Sequence, residues 1–299
     1  MNSQIKLHFI VLIWGFTAIL GHLISLEAVS LVWFRMGLAI VFFLGYLLVA
    51  KIPFNVSKKS LLALLGTGTL IALHWITFFH AIKISNISVT LACMSAGSFF
   101  GSLLEPIFYK RKIDFSEMVM GILVIIGIST IFAVETQFFT GIIVALISAF
   151  LSALFSVING IHVKKGLEST SITVWEMIGG WLFVGVFILF TQPLSSEFFA
   201  RVTPYDWGYL IILGSVATAY PFLESVRVMK DLSPFTVLLT INLEPVYGIL
   251  LAFLLFGDTE KMTPAFYLGG ATILIAVVFN GVIKRIKKNK AKKQGLRTE

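Results

Sequence analysis

The sequence predicts an all-α polytopic membrane protein: ten transmembrane helices arranged as two inverted five-helix repeats. Three observations predict it. Of the 299 residues 58% are hydrophobic and only 13% charged, against roughly 45–50% and about 25% in soluble domains. Ten stretches of about 20 apolar residues, the length a bilayer core requires, are separated by short polar breaks. Basic residues fall overwhelmingly on alternate breaks, and motifs recur half a chain apart. This composition excludes a soluble enzyme, a disordered chain and a disulfide scaffold; the single Cys93 forms no intrachain disulfide.

The stretches run approximately over 8–26, 29–50, 60–82, 87–109, 115–134, 140–161, 172–191, 207–226, 234–256 and 264–283. Turn residues or charge mark the breaks: Lys51-Ile52-Pro53, Lys110-Arg111-Lys112, Glu135-Thr136-Gln137, Lys164-Lys165-Gly166, Gln192-Pro193, Thr203-Pro204, Ser233-Pro234 and Gly257-Asp258. Apolar residues fill whole helix circumferences, as lipid-facing helices require, and nothing alternates as barrel strands do. The first stretch follows Lys6, but Gly21-His22-Leu23-Ile24 offers no small-x-small cleavage site, so an uncleaved helix is expected.

Orientation follows from Lys and Arg. With the N-terminus inside, 19 of the 23 basic residues fall on the cytoplasmic face, eight of them in the tail from Lys284 on. Lys83, Arg201 and Lys261 fall outside, and Arg35 lies within a span. Both termini are therefore expected in the cytoplasm of a cell with an inner membrane. The basic tail reads as orientation and attraction to anionic lipid, not as a nucleic-acid patch.

Span two's Ser30-Leu31-Val32-Trp33 and Met36-Gly37 resemble span seven's Thr173-Val174-Trp175 and Ile178-Gly179. Ala81-Ile82-Lys83 resembles Val228-Met229-Lys230, and Gly121 resembles Gly269. The offsets are 142, 147 and 148. Residues 1–136 and 137–285 are then two repeats of odd helix number, hence inverted in the membrane, followed by a tail over 286–299. Leu104-Glu105-Pro106 and Leu243-Glu244-Pro245 lie 139 apart, out of that register, in which Glu244-Pro245 faces Gly97-Ser98.

These residues resemble the drug/metabolite transporter superfamily, in particular its EamA-type ten-helix members. The likeness rests on Ile13-Trp14-Gly15-Phe16, Trp33-Phe34-Arg35-Met36-Gly37-Leu38-Ala39, Ala81-Ile82-Lys83, Ser233-Pro234, Asn242-Leu243-Glu244-Pro245-Val246-Tyr247-Gly248, and the Gly269-Gly270 span with its basic tail. It covers roughly residues 8–285. The resemblance implies a permease moving small organic solutes by alternating access through a cavity between the halves. The sequence departs from it at Gly97-Ser98, where many relatives carry a Ser-Pro pair, which leaves a matching helix break in span four unsupported.

No nucleophile elbow, His-Glu-x-x-His or phosphate-binding loop is present, so neither catalysis nor a cofactor is expected. Polar groups within spans are the candidates instead, because they are costly there. Glu244 is the eleventh of the 23 residues from Pro234 to Phe256, about 15 Å from the cytoplasmic face at 1.5 Å per residue. Pro245 beside it frees a carbonyl one turn back. Glu244 reads either as a substrate or proton group or as a neutral acid bonded to that carbonyl. Arg35 lies roughly 9 Å below the outer face, within reach of snorkelling, and His74 is a candidate proton relay. Asn242, Tyr247, Trp14, Trp75, Trp175 and Tyr220 complete the candidate lining; Trp181 and Trp207 read as packing or interface residues.

Glu105, Glu176 and Glu224 fall near cytoplasmic span ends, with Glu224 and Arg227 spaced for an ion pair. Ser148, Ser152 and Ser156, beside Ala149 and Ala153, and Gly97-x-x-x-Gly101, read as close helix-packing faces. The expected function is a secondary transporter, an exporter by family likeness, for a small metabolite such as an amino acid. Protons as coupling ion and a homodimer stay open, and a lipid flippase or an intramembrane enzyme at the cytoplasmic interface is the alternative.

Overall fold

The computed structural model describes residues 2–52, 54–110, 112, 115–191, 198–199 and 201–293. Pro53, Arg111, Gln192, Pro193 and the tail residues 294–299 lie outside them. The described chain is helical almost throughout and has no strand. We number the helices by crossing: α1a (Ser3–Gly15) and α1b (Thr17–Leu23), α2 (Ala28–Ala50), α3 (Lys58–Ile84), α4a (Ile87–Met94) and α4b (Gly97–Tyr109), and α5 (Phe115–Val134). The second set is α6 (Phe139–Lys164), α7 (Ser169–Thr191), α8a (Pro204–Gly214) and α8b (Tyr220–Val228), α9a (Pro234–Ile241) and α9b (Glu244–Phe256), and α10 (Pro264–Lys293). Eight crossings are long and apolar enough to span a membrane, and α5 and α10 contribute the apolar stretches Val119–Val134 and Pro264–Ala276. The chain is an all-α, multi-pass membrane protein.

The boundaries follow local chemistry. Ser57 and Ser233 cap α3 and α9a by accepting the amides of Ser60 and Thr236. Thr203 and Asp206 form a reciprocal capping box at α8a, with Pro204 in the first turn, where its missing N–H is harmless. The first helix begins at Ser3 rather than near residue 8. Asn2 caps it, and Lys6 is drawn into the helix by an ion pair to Glu224 at 3.1 Å. The last helix runs ten residues past the expected end, because the start of the basic tail continues it.

Neighbour relations exchange the first five crossings with the last five. Helix α3 packs on α6 and α7, while the α8 helices pack on α1 and α2. Likewise α4 packs on α6 and α9b on α1, and α2·α7, α4b·α9a and α5·α10 pair across the exchange. Small residues permit the closest of these. A Cβ on Gly179 would lie 2.6 Å from the Leu65 backbone, and one on Gly127 2.8 Å from the Gly269 carbonyl.

Spans four and nine carry the clearest correspondence. Helix α4a covers 87–94 and α9a 234–241; α4b covers 97–109 and α9b 244–256. Every boundary is displaced by the same 147 residues. The break in span four, which the missing Ser-Pro pair left unsupported, is therefore present, at Ser95-Ala96. It is closed by tightened i→i+3 bonds, Ser95 N–H to Ala92 O at 3.3 Å and Ala96 N–H to Cys93 O at 3.0 Å. The counterpart in span nine is Leu243 N–H to Thr240 O at 3.0 Å.

Candidate functional site

The break in span nine places Glu244 at the first position of α9b, facing a cavity in the middle of the bundle. Pro245 follows in the first helical turn, where its missing N–H leaves no partner unmet. Among the described residues no N–H or O–H group donates to the Glu244 carboxylate. Arg35 lines the same cavity, and the two charges lie in each other's Coulomb field.

Arg35 does not snorkel. Its side chain is 3% exposed, and its Nε donates to Thr218 Oγ1 at 2.7 Å, which in turn donates to Leu213 O at 2.5 Å. Thr218 sits in a π-helical turn, Ser215–Ala219, that joins α8a to α8b just before Pro221. A residue with no N–H widens the preceding turn, and that widening carries the hydroxyl to Arg35. The guanidinium lies 3.8 Å from the centre of the Trp75 ring and 5.4 Å from that of Phe79. Placing an arginine at this depth costs about 2.5–3.5 kcal/mol on insertion scales, and a desolvated cation–π contact returns about 2 kcal/mol. The remainder falls to Glu244, Thr218 and whatever enters the cavity.

His74 forms the wall between α3 and α6. Its Nδ1 lies 3.0 Å from Ser148 O, and Ser148 Oγ donates to His74 O at 2.9 Å. A carbonyl oxygen only accepts, so Nδ1 carries the hydrogen and Nε2 of the neutral ring is left as acceptor. Ser152, Ser156 and Asn159 continue the same face of α6 into the cavity. The serine stripe is a packing face at Ser148 and a cavity lining one and two turns later. Trp14, Trp75, Phe78, Phe155 and Phe222 supply the aromatic walls.

Of the residues expected at the site, Glu244, Arg35, His74, Trp75 and Trp14 are brought together. The other four lie outside the cavity lining. Asn242 is buried in the break itself, its Nδ2 without a hydrogen-bond partner among the described residues. Tyr247 packs with Leu7, Val11 and Trp14, behind the wall. Trp175 donates from Nε1 to Phe54 O at 2.9 Å, bound to the segment before α3. Tyr220 is 44% exposed, on the outside of α8b. Trp181 stacks on Trp33 with ring centres 5.5 Å apart, and Trp207 sets its edge against Phe34.

Sequence reading missed Thr17, Thr218, Asn159 and Ser225. Asn159 had a usable signal, since it extends the Ser148-Ser152-Ser156 stripe by one turn. Thr218 had none, because its role depends on the π-helical turn.

The cavity measures about 70 Å³, room for roughly five waters at ~10–15 Å³ each. It reaches from Arg35 and Phe78 to Met229 and Val237, within about a turn of the face that carries the chain ends. On that face Glu224 holds Lys6 at 3.1 Å and Arg227 at 2.6 Å. On the opposite face, Asp206 accepts Ser25 N–H and Oγ–H at 2.7 Å each, and Glu260 accepts the Ile87 and Ser88 amides at 3.1 and 2.9 Å. A roomier groove of about 410 Å³ between α4a, α9b and α10 is lined by apolar side chains, several of them exposed, such as Leu250 and Phe253. Among the described residues its lining holds no charged group.

A family profile, described as the EamA-like transporter family, matches this chain twice, over residues 5–133 and 139–282. The chain belongs to the EamA-like transporter family. It is thus a multi-pass membrane protein of the drug/metabolite transporter type. The pseudopaline exporter CntI of Pseudomonas aeruginosa (strain UCBPP-PA14) is 24% identical over 194 residues, covering 64% of this chain and 66% of that protein. A solved crystal structure whose description names no activity superposes with a TM-score of 0.69 at 11% identity, covering 94% of this chain and 97% of its own. That likeness is one of fold.

Proposed function

We propose that this EamA-family permease exports a small amphoteric organic metabolite, an amino acid or related amphiphile, across the cytoplasmic membrane. It works by alternating access of two inverted halves, residues 1–136 and 137–285, with both termini in the cytoplasm. The observation that carries this reading is that Arg35 and Glu244 face one aromatic-walled cavity. A guanidinium recognises a carboxylate, often bidentately, a carboxylate recognises an ammonium, and indole and phenyl faces hold the carbon skeleton. The name of the CntI relative supports the outward direction, and the 19 cations on one face support the orientation.

The neighbour exchange between the two sets of five crossings supports alternating access. The two faces of the bundle differ in their closures. The face of the chain ends is held by the Lys6–Glu224–Arg227 ion pairs and the other by capping hydrogen bonds at Asp206 and Glu260. Trading one closure for the other exposes Arg35 and Glu244 to each side in turn. Glu244 is the group we assign to proton coupling, since it faces the cavity with no hydrogen-bond partner among the described residues.

Among the described residues, two of the acids that an intramembrane enzyme would draw on are already engaged. Glu176 bonds Asn159, and Glu224 is committed to Lys6 and Arg227.

Comparing metabolites inside and outside overexpressing and deletion cells tests the proposal. One solute should move in opposite senses in the two strains and accumulate outside on overexpression. Phospholipid redistribution with no change in any soluble metabolite would overturn it in favour of a flippase. In proteoliposomes, transport of that solute should follow a pH gradient, and Glu244→Gln should uncouple it. Exchange indifferent to the gradient in both proteins would rule out proton coupling.

A further inference from the structure

Below Arg35 and Glu244, on the side nearer the chain ends, lies a second acidic group outside the ion pairs of that face. Glu176 on α7 is fully buried and Asn159 on α6 is 1% exposed. Asn159 Nδ2 donates to Glu176 Oε2 at 3.3 Å. The other two polar atoms of the pair, Asn159 Oδ1 and Glu176 Oε1, are both buried, and among the described residues both lack a hydrogen-bond partner. Each is an acceptor when the acid is ionised. Two buried acceptors without a donor each bear a desolvation penalty, and an unpaired buried carboxylate bears a larger one. A single hydrogen on Oε1 satisfies both, because an acid and an amide close a ring of two antiparallel hydrogen bonds. Asn159 also lines the cavity, so the pair is part of its wall.

Among the described residues no cation pairs with Glu176. The neighbouring helix α3 comes so close that a Cβ on Gly68 would collide with the Glu176 carbonyl. The charged and titratable groups on the helices packed against α7 are Arg35, Tyr46, Lys58, Lys59, His74, His80, Lys83, His162, Lys164, Tyr220, Glu224 and Arg227. None of them bonds Glu176 among the described residues. Arg35 is engaged with Thr218, His74 with Ser148, His162 with Thr67 at 3.1 Å, and Glu224 with Lys6 and Arg227.

We propose that Glu176 is a proton-binding site of the permease, its Oε1–H donating to Asn159 Oδ1 in an acid–amide ring set into the cavity wall. A solute that takes over the Asn159 carboxamide opens the ring. The Oε1–H bond then breaks, the proton passes to cavity water, and the carboxylate remains. Only this link to solute rests on the proposed transport reading. The proton on Glu176 is tested without any solute.

The test is infrared spectroscopy of the full-length protein in lipid nanodiscs at neutral pH, with protons as the sole ligand. The carboxylic-acid carbonyl band of the wild type, shifting in D2O, should lose one group per chain in Glu176→Gln. An unchanged acid band in Glu176→Gln would overturn the proposal. Glutamine mimics the protonated acid by donating to Asn159 Oδ1, so this variant should fold. Should it not, Asn159→Leu carries the test. Removing the ring partner should move the acid band to higher frequency, and an unmoved band overturns the ring. Neither variant replaces Arg35 or Glu244, so failure of either leaves the reading of those two residues standing.

Discussion

Spans four and nine have one backbone and two chemistries. Both break after eight residues and resume two residues later for thirteen more, 147 residues apart at every boundary. Yet span four resumes with Gly97-Ser98 and span nine with Glu244-Pro245. The break therefore does not need proline. It is made by tightened i→i+3 turns in both copies, and Pro245 occupies a first-turn position that tolerates it. What the second copy adds is charge. Where Gly97 brings α4b near the Ala149 carbonyl, Glu244 faces Arg35 and the cavity. The two spans share the break, and the glutamate at which span nine resumes sets a carboxylate into the cavity.

The largest expected effect follows from removing that charge. A hydrogen bond to a charged group contributes about 1.5–3 kcal/mol, so Glu244→Gln and Arg35→Gln should each weaken solute binding by roughly 10- to 150-fold. Each holds a different end of the solute, so the double variant should lose about the product of the two, measured by binding to the purified protein. A double variant no weaker than either single one would mean that the two charges act on each other and not on the solute.

Next comes Pro245→Ala. The span-four break exists without proline, so this variant should keep its fold and lose transport only several-fold, with a stability change of about 1 kcal/mol. Collapse of the fold in a thermal-unfolding assay would make proline the cause of the break and end the equivalence with span four.

A smaller effect separates Asn242 from its counterpart Ser95. Asn242 Nδ2 is buried without a partner among the described residues, so Asn242→Ala should be neutral or stabilising by about 1 kcal/mol. Marked destabilisation would point to a partner that forms in another conformation. Smallest is Gly97→Ala. Its Cβ would meet the Ala149 carbonyl at 3.6 Å, an ordinary contact, so the change should stay within about 1 kcal/mol of wild type and leave transport intact.

How much of this was legible in the sequence differs by kind of feature. Span boundaries were, because hydropathy and caps are local. Spans four, five and nine match the expected 87–109, 115–134 and 234–256 to the residue at their outer limits. The break in span nine was signalled by Glu-Pro. Its twin in span four was not, because a tightened turn of small residues leaves no proline. Inward direction was not legible either. Arg35 is within snorkelling length of the outer face, and only the π-helical turn that presents Thr218 and the ring of Trp75 turn it inward. Glu176 read as a span-end acid because its depth in the packing, set by Gly68 and Asn159, is tertiary.

The central claim is that Arg35 and Glu244 hold one solute between them. The most direct measurement is calorimetric titration of the solute named by the metabolite comparison, using wild-type protein, Arg35→Gln and Glu244→Gln, alongside analogues lacking its carboxylate or its amine. Loss of the carboxylate should matter in the wild type but no longer in Arg35→Gln, and loss of the amine no longer in Glu244→Gln. Analogue penalties that persist unchanged in both variants would contradict the claim and move the binding groups elsewhere in the bundle.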